Sequence, residues 1–459
     1  MRIRKDVYKM AVPVFIEQFF IMSIGVVNTI IASGIGKEAI SAIGTVDSFN
    51  NIIIFFFNSL AIGGTVVVAQ YTGQKNVKGV KEASIQSIFS AVVISIITTL
   101  IIWFSRDLIL QSFFGNAEKQ VLSYSAVYFS ITLLNYPLTA FSFVVSGILR
   151  GSGHQDKPMK INIFINIINI ILSYFLIYGV NLDIMHMKIL FSGMGVKGAA
   201  IAVTVARLVG VILFMYAFLS NTNRIRFMTI KKFRLNMSIQ KSILNVGLPA
   251  GIEILIFNIG KFVQQIFIIS LGTVSLAANT ISWSVFGLLI IPGSALSIVA
   301  TTMVGNFMGK GDHKEAEKIQ LYLVKIAIVC KMLVSILIFP LATVIASIYS
   351  NDPTVVRLTS RLIRINAIII PILWPASFII PSGLRGAGDS KFTMVVSIIS
   401  LWFFRVFLGY LFSITMKFGI TGLWIAMYFD WTTRGIIYYW RLRKGKWKEH
   451  VVISPARKS

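Results

Sequence analysis

The 459-residue sequence is short of charged side chains, which make up 13% of it, whereas 56% of its residues are hydrophobic. A soluble globular domain carries about 25% charged residues, so this composition leaves too little polar surface to face water. Uncharged stretches such as 51–70, 85–103 and 281–302 are long enough to cross the hydrocarbon core of a bilayer as helices. We therefore expect a multi-pass membrane protein whose surroundings are lipid.

Cysteine and histidine are also scarce. The single cysteine, Cys330, excludes an intramolecular disulfide, and the four histidines are scattered without the spacing of metal ligands. No nucleophile with a neighbouring base and no complete phosphate-binding loop can be recognised. We expect no enzyme, no catalytic residues, no metal site and no bound cofactor.

Acidic residues are few, 17 against 43 lysines and arginines. In a soluble protein the resulting net charge of +26 would suggest nucleic acid, but here the basic residues lie in short loops between apolar runs. The loops on the side of the two termini hold 28 lysines and arginines, and the opposite loops hold 8. This asymmetry predicts a cell (inner or plasma) membrane protein with both termini in the cytoplasm and no nucleic-acid partner.

The apolar runs predict twelve transmembrane helices in an all-α fold. They divide the chain into an N-terminal six-helix lobe (1–220), a cytoplasmic basic linker (221–241), a C-terminal six-helix lobe (242–440) and a cytoplasmic basic tail (441–459). Trp440 and Trp447 are expected in the membrane interface. The predicted helices cover residues 10–33, 45–70, 84–104, 121–148, 161–180, 197–220, 242–271, 275–302, 320–348, 361–383, 392–414 and 420–440.

The two halves of the sequence resemble each other at a nearly constant offset, which places Pro13 opposite Pro249. Because each copy has an even number of helices, both have the same orientation, which makes this a parallel repeat related by an axis along the membrane normal. Such repeats are typical of transporters rather than of receptors, channels or membrane enzymes. The matching segments are Pro13-x-x-x-Glu17 with Pro249-x-x-x-Glu253, Gln70-Tyr-Thr-Gly73 with Asn306-Phe-Met-Gly309, and Leu149-Arg-Gly-Ser-Gly153 with Leu384-Arg-Gly-Ala-Gly388.

These motifs, together with Gly36-Lys-Glu-Ala-Ile-Ser-Ala-Ile-Gly44 and Gly247-Leu-Pro-Ala-Gly251, resemble those of the multidrug and toxic compound extrusion (MATE) family over nearly the whole chain. The resemblance implies two pseudo-symmetric six-helix lobes around a central cavity. It also implies an antiporter that exports an organic, usually cationic and amphipathic, compound in exchange for Na⁺ or H⁺. The alternative is a related exporter of a lipid-linked saccharide or another anionic amphiphile. We expect a monomer whose partners are a small organic substrate and the bilayer.

Glu17 and Glu253 are the first candidates for cation coupling. Each lies about 10 Å into its helix at 1.5 Å per residue, and an ionised carboxylate in the membrane costs several kcal/mol. Each can instead form a structural hydrogen bond at its proline turn. Relatives carry further acidic residues, which are missing here: Asn28 stands at one such position and Phe257 near another. Because Phe257 is one helical turn from Glu253, we expect Glu253 to substitute for the missing acid.

The candidate substrate-binding residues are polar or aromatic side chains in the apolar runs. Lys261 would disfavour a cationic substrate unless it pairs with an acid on another helix, such as Asp47. Ion pairs within one lobe are expected among Arg207, Arg405 and Asp430, and Lys325 and Lys331 are expected to reach towards the interface or to be structural. The candidates are Asn28, Phe257, Lys261, Gln264, Trp283 and Trp374.

Overall fold

The computed structural model describes residues 2–114, 118–184, 187–220 and 234–453, which are almost entirely helical. The helices are α1 (Arg2–Ser33), α2 (Lys37–Gly73), α3 (Val77–Phe114), α4 (Lys119–Leu133), α5 (Asn135–Gly151), α6 (Asp156–Tyr178), α7 (Gly195–Leu219), α8 (Met237–Ser270), α9 (Thr273–Gly309), α10 (His313–Tyr349), α11 (Pro353–Ala387), α12 (Ser390–Ser400), the π segments Leu401–Leu408 and Leu411–Thr415, α13 (Gly419–Lys444) and the 3-10 helix Lys446–Glu449. The two π segments continue α12, and the short 3-10 helix follows α13.

Helices lie over each of the twelve predicted spans. Within the described ranges, nine are long and apolar enough to cross a membrane, and the pair α4–α5, bent by 44°, makes a tenth if it is counted as one broken span. The apolar pattern predicts this fourth span as one helix. It breaks at Leu134 because Pro137 has no backbone N–H to bond the carbonyl of Leu133, and its ring crowds that carbonyl.

The helices are longer than the apolar runs that predict them. Helix α2, for example, has 37 residues where the apolar pattern indicates 45–70. Polar turns extend the helices where a capping residue satisfies the first backbone N–H groups. The Asp312 side chain accepts from the N–H of Glu315 at the start of α10, and the Asp352 side chain accepts from the N–H of Thr354 at the start of α11.

A two-stranded antiparallel hairpin follows α6, where the sequence analysis expects only a loop. Strand β1 (Gly179–Ile184) pairs with β2 (Met187–Ser192), with Gly179 opposite Ser192. Residues 181–184 alternate polar and apolar, a period of two that is typical of a strand. Since so short a run is easily read as a loop, the hairpin is an addition to the predicted all-α fold.

Internal contacts divide the chain into two compact units. The C-terminal unit consists of Met1–Phe15, Val66–Asn76 and Ser242–Ser459, and the N-terminal unit consists of Ile16–Thr65 and Val77–Lys241. Most of the predicted linker, residues 221–233, lies outside the described residues, as do residues 454–459 of the predicted tail.

Two glycines allow the ends of α2 and α9 to meet within the C-terminal unit. A Cβ atom at Gly73 would clash with the backbone carbonyl of Asn306, and one at Gly309 would clash with that of Gln70. Gly73 and Gly309 end matching motifs, so the contact joins equivalent positions of the two sequence copies. No side chain larger than hydrogen fits at either position without moving one of the helices.

The basic tail folds back onto the C-terminal unit. The Trp447 side chain is only 1% exposed and its Nε1 donates to the carbonyl of Leu442 at 2.9 Å. The backbone N–H of Val452 donates to Gln70 Oε1 at 3.1 Å. The interfacial position expected for Trp447 is therefore wrong, because its ring fills the hydrophobic core, whereas Trp440 is exposed.

Candidate functional site

Glu17 is the centre of a buried polar triad in the N-terminal unit. Its side chain, 1% exposed, lies on α1 and receives a hydrogen bond of 2.6 Å from Nη2 of Arg150 at the end of α5. The amide nitrogen of Asn162 on α6 donates to the same carboxylate oxygen. The guanidinium neutralises a carboxylate that would be costly to hold in the membrane uncompensated.

Glu253 is the centre of the corresponding triad in the C-terminal unit. Nη1 of Arg385 lies 3.1 Å from one carboxylate oxygen, and the Ser397 hydroxyl donates to the other at 2.7 Å. Ser397 also shares a hydrogen bond of 2.8 Å with the Tyr438 hydroxyl. The Glu253 side chain is 13% exposed, so it is more accessible than Glu17.

All three members of one triad have their repeat equivalents in the other. Glu17 matches Glu253 directly, and after the single-residue deletion Arg150 matches Arg385 and Asn162 matches Ser397. The sequence motifs contain each glutamate and each arginine, but they do not show that they pair. The sequence did contain a signal for this pairing. The glutamate and the arginine are separated by 133 residues in one copy and by 132 in the other, so their spacing is nearly the same in both copies.

Phe257, Lys261 and Gln264 come together around the π-helical segment that carries Arg405. The Lys261 Nζ and the Arg405 Cζ each lie 5.0 Å from the centre of the Phe257 ring. The Gln264 amide donates to the backbone carbonyl of Arg405 at 3.4 Å. Three of the predicted substrate-binding residues therefore share one neighbour, a buried arginine that the sequence suggested only as a structural residue.

Arg405 also belongs to a buried ion-pair network, which confirms the predicted pairing with Asp430. The Arg405 Nε lies 2.6 Å from one Asp430 oxygen, and the Arg434 Nε lies 3.1 Å from the other. The Ser400 hydroxyl completes the site with a hydrogen bond of 2.6 Å to Asp430. Two guanidinium groups thus share one carboxylate. Arg207, the third residue expected in such a pair, has no ion pair with any residue the structure describes.

Trp283 and Trp374 belong to an aromatic cluster in the C-terminal unit. Trp283 packs edge-on against Phe286 at 4.8 Å between ring centres. Trp374 is 4% exposed and stacks on Phe378 at 4.4 Å. Trp431 connects the two groups, since it stacks on Phe286 and packs edge-on against Phe378. Trp374 is covered by its neighbours, whereas Trp283 is half-buried.

Lys331 is fully buried, which agrees with the structural alternative predicted for it and not with a position that reaches towards the interface. Its Nζ donates to the carbonyl of Leu289 at 2.5 Å and lies 3.8 Å from the centre of the Trp374 ring. That carbonyl lies on α9, three residues before Pro292. Gly293 makes room, because a Cβ there would clash with Trp374 and approach Lys331. Lys325, by contrast, is exposed.

Asn28 lies on α1 in the N-terminal unit, on the same helix as Glu17 and in a different unit from the other substrate-binding candidates. Its side chain is half-buried. Its Oδ1 atom is buried without a hydrogen-bond partner among the described residues. An unsatisfied acceptor of this kind costs free energy unless a ligand or water occupies it.

Asp47 on α2 does not pair with a lysine as suggested from the sequence. The Tyr128 hydroxyl on α4 reaches its two oxygens at 3.1 and 3.4 Å. Nearby, Asn50 donates to the Thr132 hydroxyl at 3.1 Å and accepts from the Tyr136 hydroxyl at 2.8 Å. No sequence motif joins these side chains, although Asp47 with Asn50 and Thr132 with Tyr136 stand at helical spacings.

Comparisons with known proteins agree with the repeat and with the fold. The family model MatE matches the chain twice, over residues 13–175 and 249–411, so its two matches begin at the equivalent prolines Pro13 and Pro249. The chain is 27% identical to the probable multidrug resistance protein NorM of Thermotoga maritima over 99% of this chain and 95% of that protein.

Two solved structures share the fold at low sequence identity. One is an outward-facing multidrug resistance MATE family transporter of the MOP superfamily, with a TM-score of 0.87, 22% identity and coverage of 96% of this chain and 95% of that one. The other is a MOP superfamily transporter from Pyrococcus furiosus, with a TM-score of 0.86, 22% identity and the same coverage. It is described as having a binding pocket of reverse polarity that suggests a different function.

The helical spans, the two sequence copies and their matched triads define a multi-pass membrane transporter with twelve transmembrane helices in two six-helix lobes. The chain belongs to the MatE family.

Proposed function

We propose that this protein is a secondary active antiporter that exports amphipathic organic compounds in exchange for Na⁺ or H⁺ by alternating access. It acts as a monomer in the cell membrane with both termini in the cytoplasm. The curated relatives with multidrug resistance names support export. The charge asymmetry of the loops supports the orientation.

The observation that carries the coupling proposal is the Glu253 triad. The Glu253 carboxylate, held by one guanidinium and one hydroxyl, has two alternative states. In one it is paired with Arg385, and in the other it binds a proton or Na⁺, which replaces the charge of Arg385. The released Arg385 then repacks, which couples occupancy by the cation to the conformation of the lobe. Glu17 is held by a guanidinium and the amide of Asn162 and is the second coupling candidate, but its burial makes it the slower to exchange.

The substrate is expected to contact Phe257, Lys261, Gln264 and Trp283, with Trp374 as a buried support behind the aromatic cluster. Asn28 is the candidate substrate contact of the N-terminal unit.

Lys261 and Arg405, which each lie 5.0 Å from the centre of the Phe257 ring, favour a second candidate function, the export of an anionic amphiphile such as a lipid-linked saccharide. The reverse polarity described for the Pyrococcus furiosus relative is consistent with that alternative.

Transport in proteoliposomes tests the proposal. Purified protein is reconstituted and an inward Na⁺ or pH gradient is imposed, with ethidium as the cationic substrate and a fluorescent amphipathic carboxylate as the anionic one. Gradient-driven ethidium transport that disappears in Glu253→Gln, and that falls less in Glu17→Gln, is expected. Glu118→Gln is the control, because Glu118 is exposed at the start of α4 and its side chain caps no backbone group.

Three other outcomes are informative. If gradient-driven transport survives in Glu253→Gln, the antiport proposal stands but Glu253 is not the coupling residue. Transport of the carboxylate alone favours the second candidate function. If neither compound moves against its gradient while the protein remains folded in the vesicles, secondary active export of these classes is contradicted.

A further inference from the structure

Asp47 is a carboxylate without a basic partner. Glu17, Glu253 and Asp430, the other acidic residues deep in the helices, are each paired with arginine. Among the described residues, no ion pair includes Asp47. It lies ten residues after the start of α2, about 15 Å along the helix at 1.5 Å per residue. An acid of this kind within a membrane helix is a functional candidate by default.

The groups around Asp47 are neutral and rich in oxygen. From α4, the Tyr128 hydroxyl contacts both carboxylate oxygens, and Thr132 lies one turn further on, bonded to Asn50. From α5, the Tyr136 hydroxyl bonds the side-chain carbonyl of Asn50. Hydroxyl, amide and carboxylate oxygens are the ligand types that bind hard cations, and they equally support a protonated carboxyl.

The charged groups of the surrounding elements do not neutralise Asp47. On its own helix, Lys37 and Glu38 lie at the first turn and contact each other at 3.7 Å. Helix α4 carries Lys119 at its start and the titratable Tyr124 and Tyr128, and α5 carries Tyr136 and, at its far end, Arg150, which is bound to Glu17. Helix α7 packs against α4 and α5 and carries Arg207, which forms no ion pair with Asp47.

We propose that Asp47, with the Tyr128 hydroxyl and the Asn50 side chain, forms a binding site for a monovalent cation, Na⁺ or H⁺, in the N-terminal unit. The inference rests on the proposed antiport and gives it a site outside the two triads. Binding of H⁺ converts the carboxylate into a carboxyl that donates to Tyr128 or Asn50. Binding of Na⁺ turns the Tyr128 hydroxyl so that its oxygen faces the ion and its proton faces another acceptor. In both cases the negative charge of the half-buried Asp47 is neutralised and no bond other than O–H is made or broken.

A binding experiment separates this inference from the transport proposal. Radioactive Na⁺ binding is measured on the purified full chain in detergent at several pH values. Infrared difference spectra between low and high pH then report protonated carboxyl groups. The variants are Asp47→Asn, which removes the charge at nearly constant volume, and Tyr128→Phe, which removes only the hydroxyl. The matched control is Asp107→Asn, because the Asp107 side chain is 78% exposed.

We expect Asp47→Asn to weaken Na⁺ binding by about 100-fold or more, and Tyr128→Phe to weaken it by about tenfold, as loss of a buried ligand does. Asp107→Asn should bind like the parent protein. If the parent protein binds no Na⁺ but shows a protonated-carboxyl band that is absent from Asp47→Asn, the cation is H⁺. If folded Asp47→Asn retains both the Na⁺ binding and the carboxyl band of the parent protein, the inference is wrong.

The transport assay then distinguishes the proposed cation site at Asp47 from the proposed antiport. Loss of cation binding in Asp47→Asn together with loss of gradient-driven export supports both proposals. Retained export with lost binding leaves the antiport intact and shows that the Asp47 cation does not drive it. If no variant, nor the parent protein, exports any substrate, the antiport fails while the binding result still decides whether Asp47 holds a cation.

Discussion

Two equivalent positions in the second helix of each sequence copy carry side chains of different chemistry. In the N-terminal unit these positions are Asp47 and Asn50, which bond to Tyr128, Thr132 and Tyr136. The equivalent positions of the second copy are Trp283 and Phe286 on α9, which pack against each other and against Trp424. One copy thus forms a polar hydrogen-bond network where the other forms an aromatic cluster.

This difference stands beside a triad that both copies retain. Glutamate, arginine and a polar donor occur at equivalent positions in each unit, so the repeat preserves the neutralised acid. The copies differ in the groups left unneutralised. The N-terminal unit leaves a carboxylate, Asp47, and an arginine, Arg207, and the C-terminal unit leaves the lysines Lys261 and Lys331, with no ion pair among the described residues. The matched triads are therefore the feature that both units share, and the unneutralised groups are the feature in which they differ.

The largest expected effect comes from removal of a neutralising acid. Asp430→Asn leaves Arg405 and Arg434 buried without a carboxylate and should lower the free energy of unfolding by about 3–5 kcal/mol. Asp47→Asn removes an unneutralised charge while Tyr128 can still donate to the new amide oxygen, so without cation it should leave the free energy of unfolding unchanged or raise it. Thermal unfolding in detergent without Na⁺ measures both. Equal effects would contradict the distinction between a neutralised and an unneutralised acid.

Removal of a buried cation that has no ion pair is the second test, and it concerns Lys331 of the C-terminal unit. Lys331→Met replaces a buried ammonium by an apolar side chain of similar shape next to Trp374 and should raise the free energy of unfolding by about 1–3 kcal/mol. Lys325→Met is the control, because Lys325 is exposed on the same helix. A lower melting temperature for Lys331→Met would show that the hydrogen bond to Leu289 outweighs the cost of burying the charge.

The helical framework could be predicted from the sequence because apolar length is a local property. Twelve runs of sufficient length indicated twelve spans, and the proline at position 137 lay within one of them without revealing that it breaks the helix. Helix ends were underestimated because polar turns capped by Asp312 and Asp352 do not register as apolar. The hairpin after α6 was missed because its strands are short.

The site residues could be chosen from the sequence, but their partners could not. Glu253 and Glu17 stood out as acids in apolar helices, yet Arg385 and Arg150 lie 132 and 133 residues away along the chain. Asp47 and Tyr128 are 81 residues apart, and nothing local joins them. Lys331 was expected either to reach towards the interface or to be structural, and the sequence could not show that the carbonyl of Leu289 on α9 gives it a buried acceptor.

The two triads should respond differently when each loses its polar donor. Asn162→Ala leaves an oxygen of a fully buried carboxylate with one donor fewer and should cost about 1.5–3 kcal/mol. Ser397→Ala should cost less, about 0.5–1.5 kcal/mol, because Glu253 is partly exposed and water can replace the hydroxyl. Thermal unfolding of the two variants side by side gives the comparison. An equal or larger loss for Ser397→Ala would mean that water does not reach Glu253.

The smallest effect concerns the outermost member of the Asp47 network. Tyr136→Phe removes one neutral hydrogen bond to Asn50 and should cost about 0.5–1.5 kcal/mol, since the ring itself stays packed against Phe57. At the equivalent positions the second copy has Ile372 and Phe286, which cannot form such a bond. If the side-chain carbonyl of Asn50 is a cation ligand, Tyr136→Phe should also change Na⁺ affinity by a few-fold, because Asn50 then loses the contact that orients it. A variant with altered stability and unaltered Na⁺ affinity would restrict the cation site to Asp47 and Tyr128.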